Sequence, residues 1–285
     1  MIKIIVDSTC DLPIKFLEEN NIDVLPLRVL IKDEEYFDKQ NIKIEKVFEY
    51  MKEGIVPRTS LPRLDVIREV FTKKCAEGED FIYLSLSSKL SGTFQAAKLI
   101  MEELREDYPE INMEVIDTKA ASIGIGLMVM ELIEMINDGA SFCKLIDSIE
   151  FYKDNCSQYF TLTDLHWLTK GGRLPKSKAI IGTVMNIKPV LAIMDGAIEV
   201  VKSLRGSKKS LKYIVDNVID EMDVRDCEYI GIAHADDINS AEFIKSRIND
   251  MYPNRKIIIT TIGSVLASHI GIGGLGVFTL SKYKE

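Results

Sequence analysis

Residues 81–97 read Phe-Ile-Tyr-Leu-Ser-Leu-Ser-Ser-Lys-Leu-Ser-Gly-Thr-Phe-Gln-Ala-Ala. A β-rich apolar run, Phe81–Leu86, leads through a hydroxyl-rich loop into a helix-period stretch over Thr93–Asp107. The same alternation continues on both sides. Lys3–Val6, Val24–Ile31 and Met113–Ile116 carry the strand pattern, and Pro13–Asn20, Ile44–Lys52, Leu64–Ala76, Ser122–Asn137 and Phe142–Lys153 carry the helical one. Strands that alternate with helices predict a mostly parallel sheet covered on both faces, because a parallel crossover needs a helix-length connection. Three strands run into polar turns: Asp7-Ser8-Thr9, Ser85 through Thr93, and Asp117-Thr118. In open parallel sheets such carboxyl-end loops form the ligand crevice.

After residue 155 the pattern changes. Val190–Met194, then Asp195-Gly196, then Ala197–Lys202 is a hairpin signal. Helical patterns near Leu211–Met222 and Asn239–Asp250 alternate with strands at Tyr229–Ala233, Lys256–Ile262 and Gly276–Ser281. The expected fold is therefore α/β in two units. Residues 1–155 form a three-layer domain with a mostly parallel sheet, and residues 156–285 form an α+β domain with an antiparallel sheet packed by helices. A length of 285 residues suits two such cores.

Composition narrows the function classes. The start, Met-Ile-Lys-Ile-Ile-Val-Asp, enters a strand without a cleavable apolar segment, and the most apolar stretch, Ala120–Ile136, is broken by Gly124, Gly126, Glu131 and Glu134. A cytoplasmic location is expected. The five cysteines include no Cys-x-x-Cys pair and the three histidines are far apart, so neither a disulfide framework nor a metal site is expected. The net charge of −8 is unevenly spread: residues 1–155 hold 19 basic and 30 acidic residues, and residues 156–285 hold 17 and 14. Ten basic residues against two acidic ones fall between Lys170 and Lys212, which points to an anionic partner. A pI near 5.2 argues against a nucleic-acid binder.

The loop before Thr93 places Ser91 or Gly92 at a helix cap, where backbone N–H groups and the positive end of the helix dipole favour an anion. Ser91 as a plain cap is the simpler alternative. Ser91 as the nucleophile of an acyl hydrolase or transferase is another, although the segment is not Gly-x-Ser-x-Gly. Pro57-Arg-Thr59-Ser60-Leu-Pro62 holds two hydroxyls in a loop stiffened by prolines. Gly271-Ile-Gly273-Gly274-Leu-Gly276 has the letters of a dinucleotide fingerprint, but a strand follows it in place of a helix. His269 lies in an apolar run, where a satisfied core histidine is the usual finding. Asp237 caps the helix that follows His234. Lys170-Gly-Gly-Arg173-Leu ends a short helix, and Arg205-Gly ends the hairpin.

Taken in order, Asp7-Ser-Thr-Cys-Asp11-Leu-Pro13, Thr59-Ser60, Ser85 to Thr93, Asp117-Thr118, Lys170-Gly-Gly-Arg173-Leu, Lys188-Pro189-Val-Leu, Arg205-Gly and His269-Ile-Gly-Ile-Gly resemble the DegV family of bacterial fatty-acid-binding proteins. The set spans the whole chain. Leu61 and Arg63 depart from the family's Thr-Ser-Gln-Pro-Ser loop, which leaves Thr59 in place. The resemblance implies a long-chain fatty acid held between the two domains. Its carboxylate would lie on Thr59 and Ser91, at the helix start that includes Gly92 and Thr93, with His269 close by. It also implies a non-catalytic lipid carrier without a cofactor, which in some members presents the acid to a separate fatty acid kinase. Arg173 and Arg205 would then form a docking surface for that kinase.

Overall fold

The computed structural model describes residues 2–175, 187–224 and 226–284. The first elements are β1 (Lys3–Asp7), α1 (Ile14–Glu19), β2 (Asp23–Leu25), β3 (Arg28–Ile31), β4 (Glu34–Phe37), α2 (Ile44–Lys52) and β5 (Arg58–Ser60). Next come α3 (Leu64–Ala76), β6 (Phe81–Ser85), α4 (Thr93–Asp107), β7 (Met113–Asp117), α5 (Ile123–Asn137) and α6 (Phe142–Asp154). The remainder is β8 (Cys156–Thr161), α7 (His166–Lys170), β9 (Ile187–Met194), β10 (Ala197–Arg205) and α8 (Ser207–Val224). It closes with β11 (Tyr229–His234), α9 (Ile238–Met251), β12 (Lys256–Thr261), α10 (Ser264–Ile270) and β13 (Leu275–Leu280).

Strands β2-β1-β6-β7 form a four-stranded, wholly parallel sheet. Alternate residues serve opposite layers. Ile5, Tyr83 and Val115 pack with Phe71 of α3 and Met101 of α4, while Val6, Leu84 and Ile116 join Leu127 of α5 and Leu145 of α6 in a second cluster. Burial on both faces is why these strands read as unbroken apolar runs.

The expected single strand over Val24–Ile31 is two. Pro26, which has no N–H to donate, separates β2 from β3. β2 stays in the parallel sheet, and β3 leaves to form a small antiparallel sheet, β4-β3-β5. The loop around Thr59 is thereby an edge strand, with Thr59 opposite Val29.

The second large sheet has the order β10-β9-β8-β13-β11-β12. Its pairs are antiparallel except β11 with β12, which run parallel because α9 crosses between them. One face packs on α8 and α9 through Ile230, Ile232 and Val277. The other face meets α5, which contacts β11 and β13. Glycine makes that approach possible: a Cβ on Gly231 would lie 2.5 Å from Ile123 Cγ2, and one on Gly124 would lie 3.2 Å from Phe278 Cδ1. β8 was not anticipated, since Cys-Ser-Gln-Tyr-Phe-Thr has a polar start. The hairpin β9–β10 is as expected, and its tip is tied down: Ser87 Oγ donates to the Gly196 carbonyl at 2.7 Å and Lys119 pairs with Asp195 at 2.8 Å.

Among the described residues no helix is long and apolar enough to cross a membrane. No disulfide joins the five cysteines.

Candidate functional site

A cavity of about 220 Å³ lies between the parallel sheet, the small sheet and the six-stranded sheet. Its walls are mostly apolar: Leu27, Leu61, Leu86, Leu90 and Ala121 from the first half of the chain, and Phe160, Leu168, Ile193, Ile198, Ala233, Ile262, Val265, Leu266, Ile270 and Phe278 from the second. Thr59, Ser91, Gly92, Arg173 and His269 also line it.

Those polar groups form one connected corner. Thr59 Oγ1 lies 2.8 Å from His269 Nε2, so β5 and α10 meet across 210 residues of sequence. Burial pushes the His269 imidazole down to about 3, and the nearby Arg173 charge adds to the effect, so the ring is neutral at physiological pH. His269 Nδ1 is buried without a hydrogen-bond partner among the described residues, and it faces Gly171, where a Cβ would stand 2.1 Å away. A buried N–H with no acceptor is costlier than a bare lone pair, which assigns the proton to Nε2. His269 then donates to Thr59, and the Thr59 hydroxyl hydrogen is left for an anion in the cavity.

Ser91 stands at the start of α4. Its Oγ lies 2.8 Å from Thr93 Oγ1 and accepts from the Thr93 N–H at 3.3 Å. Gly92 is the N-cap residue and is exposed toward the cavity. Thr93 differs from expectation. It is fully buried and does not line the cavity, because its hydroxyl is turned back onto Ser91. Its part in the corner is to orient Ser91. His269 is hydrogen-bonded to Thr59 and not to Ser91, and no His–carboxylate pair adjoins the Ser91 hydroxyl among the described residues.

Arg173 also departs from the expected outward surface. Gly171 and Gly172 turn the chain after α7 so that the guanidinium faces the cavity. Nε donates to the Leu90 carbonyl at 3.0 Å and an Nη donates to the Gly171 carbonyl at 2.6 Å. Burial pulls its pKa below the usual guanidinium value. It remains a cation, beside His269 and bound to the carbonyl of the residue before Ser91. Arg205 is exposed at the end of β10. Lys176 and Lys178, two members of the basic stretch, lie outside the described residues.

The corner is held by a buried ionic cluster that sequence reading passed over. Asp11 accepts from Ser122 Oγ at 2.6 Å and from the Gly263 N–H at 2.9 Å, and it pairs with Lys39 at 3.2 Å. Asp38 accepts from Ser8 Oγ at 3.0 Å and from the Ser264 N–H at 2.8 Å. Two carboxylates from the first half thus hold the N-terminus of α10, whose other end carries His269. Burial pushes Asp38 up to about 6 and also raises Asp11, against the opposing pull of Lys39, Ser122 and the Gly263 N–H. Of the three polar strand ends, only Ser85–Thr93 reaches the cavity. Asp7 is spent on the Leu86 N–H at 2.7 Å, and Asp117 on the Ser88 N–H at 3.0 Å. Among the described residues no group of His, Cys, Asp and Glu side chains has the arrangement to hold a metal.

Known proteins resemble the chain over its whole length. The model of the uncharacterised DegV protein family matches residues 1–282. A DegV domain-containing protein of Clostridium perfringens is 35% identical over 285 residues, covering 99% of this chain and 98% of its own. The solved structure of a DegV family protein from Thermus thermophilus, described for its fatty acid binding, superposes with a TM-score of 0.91 at 28% identity and covers 99% of both chains. DegV of Bacillus subtilis, described as a fatty acid binding protein, gives 0.87 at 25% identity, again over 99% of each.

Proposed function

Because the chain belongs to the DegV family, we propose that it binds a long-chain fatty acid in the cavity between its two halves and serves as a carrier, not as a free-standing enzyme. The observation that carries this reading is the distribution of polarity. The walls are mostly apolar, the Ser60 and Ser122 hydroxyls being engaged with Arg28 and Asp11, and one corner gathers the Thr59 and Ser91 hydroxyls, a neutral imidazole and a guanidinium. The acyl chain would lie along the apolar walls, and the carboxylate would take the hydroxyl hydrogens of Thr59 and Ser91 and the charge of Arg173. Each buried methylene contributes roughly 0.8 kcal/mol, so a chain of palmitate length has on the order of 10 kcal/mol available before ordering costs. The head group then needs only orientation. In this reading residues 1–155 supply Thr59 and Ser91, residues 156–285 supply His269 and most of the acyl wall, and the protein works in the cytoplasm.

The exposed Arg205, with Lys208 and Lys209 beside it, would dock an anionic partner, and a fatty acid kinase that phosphorylates the presented acid is the partner this reading favours. Arg173 would serve the head group and not the docking face. The enzyme alternative, acyl transfer at Ser91, lacks an activating base in the described geometry.

Native mass spectrometry of the purified protein, followed by extraction, tests the reading. The expected adduct is an intact fatty acid of palmitate to oleate size, and delipidation should lower the thermal midpoint, because a ligand bound only by the folded state stabilises it. A protein that carries no lipid and takes up neither palmitate nor oleate would refute it. Labelling of Ser91 by a fluorophosphonate would favour the enzyme.

A further inference from the structure

The floor of the cavity changes character between two adjacent rows of the six-stranded sheet. In one row Gln158, Phe278 and Gly231 stand side by side on β8, β13 and β11. Here the first turn of α5 sits directly on the strands, since Cβ atoms on Gly231 and Gly124 would meet Ile123 at 2.5 Å and Phe278 at 3.2 Å. Nothing fits between helix and sheet. Two residues along each strand, on the same face, the row is Phe160, Gly276 and Ala233, and all three line the cavity. Two of them are the smallest residues available, so the floor drops and the space opens.

The Phe278 ring stands at that step. It leans over Gly276, where a Cβ would lie 2.7 Å from Phe278 Cε2, and its other side faces Gly124. It is 4% exposed and belongs both to the cavity wall and to the packed core beneath α5. The step also lies away from the polar corner. His269 is on the last turn of α10, while the first turn is joined through the Gly263 N–H to Asp11, and from Asp11 to Ser122, the residue before α5.

We propose that Phe278 is the end-stop of the acyl channel, and that the Phe278–Gly276 pair fixes the longest chain the protein accepts. The proposal rests on the fatty-acid reading and deepens it from ligand class to chain length. A terminal methyl that reaches the ring meets a wall backed by α5, and a longer chain must bend or withdraw its carboxylate from Thr59 and Ser91.

The test is the affinity of the delipidated protein for laurate, myristate, palmitate, stearate and arachidate. In the wild type each added methylene should raise affinity roughly fourfold up to a limiting acid and then lower it. Phe278→Leu should move the limit to a longer acid and leave the shorter acids unchanged. Gly276→Ala, whose methyl would fill the lowered floor beside the ring, should move it to a shorter one. Thr59→Ala serves as the control and should weaken all acids alike without moving the limit. Limits that coincide in the wild type and both variants would overturn the end-stop while leaving fatty acid binding standing. Failure of every acid to bind the wild type would overturn both. If Phe278→Leu does not fold, the shift in Gly276→Ala decides alone.

Discussion

The Thr59 hydroxyl and the His269 Nε2 lie 2.8 Å apart, and this contact joins an edge strand of the small sheet to the helix that precedes the last strand of the large one. It orients the hydroxyl with a neutral partner, so no ion pair would compete with the carboxylate of the proposed ligand. A cavity of this kind selects by shape along its walls and by direction at its corner.

Thr59→Ala and Ser91→Ala should each weaken fatty acid binding by roughly ten- to a hundredfold, the equivalent of about 1.5–3 kcal/mol for a hydrogen bond to a charged group. Titration calorimetry on delipidated protein measures this, and circular dichroism should show an intact fold. Wild-type affinity in both single variants and in the double variant would place the head group elsewhere.

Gly171→Ala should act on the ligand through His269. The new Cβ would stand 2.1 Å from His269 Nδ1, so the ring must move off Thr59. Overpacking of this type costs about 1–3 kcal/mol, and lipid affinity should fall to the level of Thr59→Ala. The check is a double-mutant cycle: once His269→Ala has removed the ring, Gly171→Ala should add little. Additive losses would show that Gly171 matters for another reason.

Acid should destabilise the delipidated protein through His269. Its folded pKa is about 3 against an ordinary 6.5, so the unfolded chain takes up a proton that the folded one refuses. The contribution is complete above the ordinary value and is lost progressively as pH falls toward the folded one. Urea unfolding across that range should show a shallower decline for His269→Gln than for the wild type. Parallel curves would mean that the imidazole is already protonated in the folded state.

Asp38 has the opposite sign. Its folded pKa of about 6 exceeds the ordinary 3.8, so its contribution is full below the lower value and lost as pH rises through the higher one. Asp38→Asn should therefore gain on the wild type above that pH and lose the advantage in acid. Asp38→Ala should be less stable at every pH by about 1–3 kcal/mol, because Ser8 and the Ser264 N–H lose their acceptor. An Asn variant that tracks the Ala variant would indicate that the carboxylate charge itself is required.

The legible parts of this fold were those with a strong period. Ile44–Lys52, Leu64–Ala76 and Thr93–Asp107 match their helices residue for residue, since each carries one apolar stripe between polar flanks. β4, β5 and β8 were not legible, because short or polar-starting strands owe their pairing to neighbours distant in sequence. Ser91 reads locally as a helix-cap anion site and Thr59 as a hydroxyl in a proline-stiffened loop, but only the family resemblance joins them to His269; no local pattern announces a contact across 210 residues. Arg173 misled for a definite reason. A cation beside glycines reads as solvated, yet here the glycines turn it inward, and the carbonyls of Leu90 and Gly171 replace water. Asp11, Asp38 and Lys39 carry no local signal of burial, because the loop before α10 that contacts Asp11 and Asp38 lies more than 200 residues away.

The position of β13 has a consequence for how the protein is made. It follows every other strand of the six-stranded sheet in sequence, yet it lies between β8 and β11 in space. Until it is inserted, both neighbours present open edges with unpaired backbone groups, the kind of edge through which chains aggregate. Gly276 and Phe278 arrive with the same strand. A nascent chain can thus assemble its parallel sheet early, but the floor of the cavity comes last, and cellular lipid present at that moment would find a half-built slot that it could help to close.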